Sequence, residues 1–193
     1  MTKRVAFIGA AGCGKSTLAA EAYVRLKKLG LNVEHVSEWV RTDIWLNAPM
    51  KSIWEQYRTW QNQRMVEDAV PEQVEWIITD SGCLTPYFYA CLYTSGANER
   101  ERLVLADMFK LFIDDLYRKR YEYVFFLPGA LAREDATDKI LNDGTRFQTT
   151  EELHILEEYM SLVFTKMFKV NNVYIIDCPL EERIDKIMKI LLP

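Results

Sequence analysis

Five short apolar runs punctuate the chain, and stretches in which apolar residues recur at helical spacing separate them. The first run lies within Lys3–Ile8 and the second within 31–36. The third is Trp76-Ile77-Ile78-Thr79, the fourth Tyr123-Val124-Phe125-Phe126-Leu127 and the fifth Val173-Tyr174-Ile175-Ile176. Each reads as a strand. A helix is expected to follow the first strand and run to about Leu29, where Gly30 supplies a C-terminal cap. Ser52 with Glu55 forms a capping-box pattern that opens a second helix to about Val70, before Pro71. Further helices are expected over 84–93, after Pro86, and from the cap at Asn98 to about Arg118. Leu103, Met108, Leu111, Phe112 and Leu116 are among the apolar positions of the latter. Thr149 with Glu152 opens another helix to about Lys169, and Leu180–Leu191 closes the chain. Strands that alternate with helices imply an α/β fold in three layers, a parallel sheet with right-handed crossovers and helices on both faces.

Between residues 130 and 148 the hydrophobic pattern weakens and charges gather, which is the profile of a mobile lid on a single domain spanning 1–193. Composition supports one ordinary globular unit: hydrophobic residues make up 49% and charged residues 27% of the 193 positions. The net charge of −4 and the absence of any basic tract longer than Arg118-Lys119-Arg120 do not invite a nucleic-acid backbone. Cys13, Cys83, Cys91 and Cys178 lack the spacing of a zinc site. No signal peptide or long apolar span is evident, so a cytoplasmic location without membrane contact is expected.

The chemistry gathers around Gly9-Ala10-Ala11-Gly12-Cys13-Gly14-Lys15-Ser16, between the first strand and a helix that opens near Thr17. Gly-x4-Gly-Lys-Ser is the Walker A pattern. Its glycines let backbone N–H groups converge on phosphate oxygens, Lys15 reaches the β- and γ-phosphates, and the Ser16 hydroxyl is placed to ligate Mg²⁺. ATP and Mg²⁺ are therefore the expected cofactors. Cys13 stands where a helix N-terminus lowers a thiol pKa, or it simply fills a loop position.

Two acids follow strands. Asp80, at the end of the third, is placed to hold Mg²⁺, and Glu38, just past the second, is a candidate general base for an acceptor hydroxyl. Arg41 lies three residues beyond Glu38 and either binds an anionic group of the acceptor or pairs with Glu38. Tyr57, Trp60, Gln61 and Arg64 share one side of the second long helix and offer two rings and an amide for a base, or alternatively core packing. In the lid, Arg133, Lys139 and Arg146 are cations able to cover a transferring phosphoryl group, and the Asn142-Asp143-Gly144-Thr145 turn favours Arg146. The Asp177-Cys178-Pro179 loop is a candidate frame for adenine.

Taken together, the phosphate loop, Ser37-Glu38-x-x-Arg41, Asp80-Ser81, Asp143-Gly144-x-Arg146 and the closing Glu182-Arg183 helix resemble the nicotinamide riboside kinase-like branch of P-loop kinases. The resemblance runs in order over nearly the whole chain. It implies a five-stranded parallel sheet in the order 2-3-1-4-5, use of ATP and Mg²⁺, and phosphorylation of a nucleoside-like hydroxyl. The chain departs from it in carrying Asp80-Ser81 where many such kinases carry Asp-Arg. Phage enzymes that phosphorylate hydroxymethylated bases in DNA are similar in outline, so a modified base in DNA is an alternative acceptor to a free nucleoside or nucleotide. A regulatory ATPase switch is the rival outside the kinases, and the pattern leaves the oligomeric state open.

Overall fold

The computed structural model describes residues 2–46, 51–94, 98–129 and 148–193. Five strands, β1 (Lys3–Ile8), β2 (Val33–Val36), β3 (Trp76–Asp80), β4 (Tyr123–Phe126) and β5 (Val173–Ile175), form one sheet in the order β2-β3-β1-β4-β5. Every neighbouring pair is parallel. The central strand β1 lies between β3 and β4, so Phe7 stands opposite Asp80 on one side and Phe125 on the other. Because all strands point the same way, the loops after β1, β2 and β3 emerge at one edge. In open α/β sheets that edge receives ligands.

Alternation along β1 sorts the helices into two layers. Val5 and Phe7 pack with Leu18, Ala22 and Leu26 of α1 (Lys15–Lys28) and with Ile184, Ile187 and Leu191 of the last helix, α7 (Leu180–Leu191). Ala6 and Ile8 face the opposite layer. It is built from α3 (Ile53–Asp68), α4 (Thr85–Tyr93), α5 (Glu99–Tyr117) and α6 (Thr150–Leu162). Phe7, Ile8, Phe125 and Phe126 are at most 1% exposed, and burying each such side chain contributes about 1.5–3 kcal/mol. The sheet is thus apolar on both faces, as a doubly covered parallel sheet requires. Among the described residues no helix is long and apolar enough to cross a membrane.

Several expected ends fall where the caps put them. Ser52 Oγ accepts from Glu55 N, Asn98 Oδ1 accepts from Glu101 N, and Thr149 and Glu152 complete a reciprocal capping box. Three features go beyond that pattern. A short helix, α2 (Trp39–Trp45), starts directly after Glu38. The helix opened by Thr149 stops at Leu162 and gives way to a π-helical turn, Val163–Met167, in which Phe168 N donates to Val163 O, five residues back. The wider turn accompanies burial of the adjacent Val163 and Phe164. In α5, Met108, Phe112 and Leu116 are buried, whereas Leu103 lies ahead of that packed stretch and is 62% exposed.

Candidate active site

The loop from Gly9 to Gly14 joins β1 to α1 at this edge, and Lys15 and Ser16 open the helix. Gly9 is required by contact: a Cβ there would lie 2.7 Å from Leu127 O and 2.6 Å from Cys13 Sγ. Gly14 caps α1, whose first turn carries no acidic side chain, so its free N–H groups face the loop without competition. Lys15 is 8% exposed and its ammonium donates to Ala10 O at 3.1 Å. Burial opposes its charge. Cys13, Glu38, Tyr89 and Asp80 more than offset that, and the lysine pKa is raised. Burial likewise raises the Cys13 thiol, against the pull of Lys15 and Arg183.

Arg183 of α7 braces the same edge. Its guanidinium donates to Cys13 O at 3.2 Å, Pro128 O at 3.1 Å and Cys178 O at 3.1 Å. The phosphate loop, the end of β4 and the loop after β5 are thereby tied to one side chain. Asp177, by contrast, is largely exposed and pairs with Lys186 at 3.1 Å.

Glu38 sits at the N-terminus of α2 without capping it. Burial raises its pKa, and the Asp80 charge adds to this. Lys15, the Ser81 hydroxyl and Arg41 pull in the other direction. Asp80 is 3% exposed, and its Oδ1 is buried with no hydrogen-bond partner. Directly after it, Ser81 takes a positive φ of 70°, unusual for a residue with a side chain. Tyr89 of α4 faces the same group: burial raises its phenol, Lys15 pulls it down and Glu38 pushes it up. Lys15, Glu38, Asp80 and Tyr89 thus share one electrostatic neighbourhood.

Arg41 reaches past Glu38 to Ser16, where its guanidinium donates to Oγ at 3.2 Å. Tyr57, Trp60 and Arg64 do share one face of α3, with Tyr57 and Trp60 stacked at 6.0 Å and Arg64 over the Trp60 ring at 5.4 Å. That face is tied to α5: Trp60 Nε1 donates to Asp115 at 3.3 Å and Arg64 at 2.7 Å. Gln61 is exposed. Gln63 instead meets the Glu38 turn, its side-chain oxygen accepting from Trp39 N at 2.7 Å. Arg133, Lys139, Arg146 and the turn Asn142-Asp143-Gly144-Thr145 lie outside the described residues.

Sequence reasoning passed over Gln63, Tyr89 and the bracing role of Arg183. Only the first left a signal, a stripe of polar residues, Gln56, Thr59, Gln63 and Glu67, at helical spacing; all four are buried.

The donor set suits a nucleotide and a hard cation. Converging amides and Lys15 fit phosphate oxygens, and the unpartnered Asp80 oxygen together with the Ser16 hydroxyl fits a magnesium ion, which takes oxygen ligands. Comparison with known proteins agrees with that architecture. The profile of the AAA domain family matches residues 4–183. No curated protein matches the chain in sequence. Solved structures similar in fold include NadR protein in complex with NR, with a TM-score of 0.70 and 17% identity over 98% of this chain and 50% of that one. The chain therefore spans half the length of that NadR chain. Deoxyadenosine kinase from M. mycoides with bound dATP matches with a TM-score of 0.58 and 17% identity, over 99% of this chain and all of that one. The fold expected from the P-loop kinase resemblance, sheet order included, is the fold observed.

Proposed function

The chain belongs to the AAA domain family, and from that premise we propose that it is an ATP- and Mg²⁺-dependent kinase acting on a hydroxyl of a nucleoside- or nucleotide-like acceptor. The observation that carries the reading is the meeting of a buried lysine with two acids of different standing at one sheet edge. Asp80 has an unpartnered oxygen, and Glu38 has a raised pKa. A group that takes a proton during transfer is the reason to hold a second acid beside the first.

In this reading Gly9, Gly12, Cys13, Gly14, Lys15, Ser16 and Thr17 hold the triphosphate, through loop and helix-start amides and the Lys15 ammonium. Ser16 and Asp80 would hold Mg²⁺, which when bound neutralises charge on the β- and γ-phosphates. Glu38 accepts the proton of the acceptor hydroxyl as its oxygen bonds to the γ-phosphorus and the bond to the β,γ-bridging oxygen breaks, leaving ADP. Arg41, freed from Ser16, and the sequence-assigned Arg133 and Arg146 supply positive charge to the transferring group. Tyr89 lines the space beside Glu38, whereas the tie of Trp60 and Arg64 to Asp115 leaves Tyr57 the freer of the two rings for an acceptor.

The NadR and deoxyadenosine kinase likenesses make NR and deoxyadenosine sensible first acceptors. The test is transfer from labelled ATP across nucleosides, nucleotides and hydroxymethylated DNA, with Lys15→Ala, Asp80→Asn and Glu38→Gln run alongside. Transfer to a small acceptor, reduced at least 100-fold by each change, is expected. Transfer that survives Lys15→Ala, or hydrolysis stimulated by a protein and by no acceptor, overturns the reading.

A further inference from the structure

The polar stripe of α3 ends in a carboxylate that is 0% exposed, Glu67. Six groups surround it, among them the Cys83 thiol at 3.9 Å. Tyr121 OH donates at 2.9 and 3.0 Å, Thr79 Oγ1 at 3.2 Å, Gln63 Nε2 at 3.1 Å and Arg120 at 3.0 Å, while Arg4 stands at 3.7 Å. Donor bookkeeping fixes the Gln63 amide. Its oxygen accepts from Trp39 N, so both hydrogens of Nε2 are available, and they go to Glu67 and to Thr79 Oγ1, each at 3.1 Å. A flipped amide would present N–H to N–H at Trp39 and an oxygen to the Glu67 carboxylate. The orientation is therefore dictated.

The same carboxylate governs the turn after β3. Tyr121 OH, which donates to Glu67, also accepts from Cys83 N at 2.7 Å. Gly82 has no room for a side chain because a Cβ would lie 2.8 Å from that hydroxyl. Thr79 immediately precedes Asp80. The buried network thus touches the chain at Trp39, one residue after Glu38, and at Thr79 and Cys83, on either side of Asp80.

We propose that Gln63 is a positioning residue for Glu38: its amide, locked by Glu67 and Thr79, holds the Trp39 N–H and so sets the Glu38 carboxylate against the Asp80 end of β3. The inference rests on the reading of Glu38 as the group that takes the acceptor proton. It assigns a role to a residue that is 2% exposed and acts through the Trp39 N–H. Besides the Arg41 contact from α2 to Ser16, the phosphate loop has anchors of its own, Arg183 on Cys13 O and Lys15 on Ala10 O, so loosening Glu38 should leave nucleotide binding largely alone. A misplacement on the order of 1 Å at a reacting group can lower turnover about 100-fold.

The experiment compares wild type, Gln63→Met, Thr79→Val and Glu38→Gln as full chains. It reads MgATP affinity by calorimetry, kcat and KM for ATP with the acceptor that the labelled screen identifies, and amide hydrogen exchange at Trp39. Gln63→Met is expected to lower kcat about 10- to 100-fold with KM for ATP and MgATP affinity unchanged. It should also speed exchange at Trp39 about tenfold. Thr79→Val, which removes one of the two groups that lock the amide, should shift both readouts in the same direction by less; it carries the test if Gln63→Met does not fold. An unchanged kcat, unchanged exchange at Trp39, or a parallel loss of MgATP affinity and turnover overturns the inference. If Glu38→Gln itself is silent, the kinase reading fails; if Glu38→Gln is inactive while Gln63→Met and Thr79→Val turn over normally, only the positioning role fails.

Discussion

A half-buried glutamate beside a second carboxylate weakens the fold that holds it, and Glu38 is in that position. The folded state binds its proton more tightly than the unfolded chain, whose glutamate titrates near 4.5. As pH rises above 4.5, the unfolded state releases a proton that the folded state still holds, so stability falls through that interval and stays lowered above the folded pKa. Glu38→Gln removes the penalty. Without nucleotide or metal it should melt at a higher temperature than wild type at pH 7–8, and the two curves should converge below pH 4.5. A melting series across pH in the absence of Mg²⁺ checks this; a Glu38→Gln protein less stable than wild type at pH 8 would show that the Lys15 partnership outweighs the burial penalty. Gly9 is bound by sterics rather than charge. Gly9→Ala would push a methyl against Leu127 O and Cys13 Sγ, and overpacking of this kind costs about 1–3 kcal/mol. A drop in melting temperature together with loss of MgATP binding is expected, because the displaced segment is the phosphate loop itself.

At the scale of elements, local signals and tertiary contacts make separable predictions. Thr149→Ala removes the side-chain half of a capping box that is local to α6. It should lower stability by about 1 kcal/mol, read as a shift of about 2–4 °C in melting temperature, without altering MgATP affinity. Arg183→Ala should do the reverse. It releases three carbonyls that tie the phosphate loop to the ends of β4 and β5, so MgATP affinity should fall about tenfold or more, consistent with loss of charge-assisted hydrogen bonds. Lysine at 183, with one donor centre, should rescue it only in part. This contrast also explains what the sequence made legible. Caps, glycine stops and apolar runs are local, and Ser52, Asn98 and Thr149 marked helix starts correctly. The Walker A spacing is local too. Gln63, Glu67 and Arg183 act through partners 24, 54 and 170 residues away, and no local pattern states which carbonyl an arginine will find. The α3 face carrying Trp60 and Arg64 was ambiguous for the same reason, since its partner Asp115 lies in another helix.

Across the whole molecule, charge bears on the choice between the proposed acceptors. The chain carries a net charge of −4, and many of its cations are already engaged. Arg4 and Arg120 serve Glu67 and Asp68, Arg64 serves Asp115, Arg25 pairs with Asp185, and Arg183 is spent on backbone carbonyls. A track along a nucleic-acid backbone needs basic side chains that neutralise successive phosphates, and binding then weakens about 10³- to 10⁵-fold between 50 and 200 mM salt for 6–10 such contacts. A small nucleoside makes no such demand. The expected outcome is that KM for the acceptor changes little over that salt range, while MgATP at about 100 times its dissociation constant stabilises the fold by about 2.7 kcal/mol, or about 5–11 °C. Lys15→Ala should abolish that shift. A steep salt dependence of the acceptor term alone, with the MgATP shift intact, would transfer the acceptor from the small molecules to a base held in DNA. It would leave the donor half of the site, built on Gly9–Ser16 and Asp80, as described.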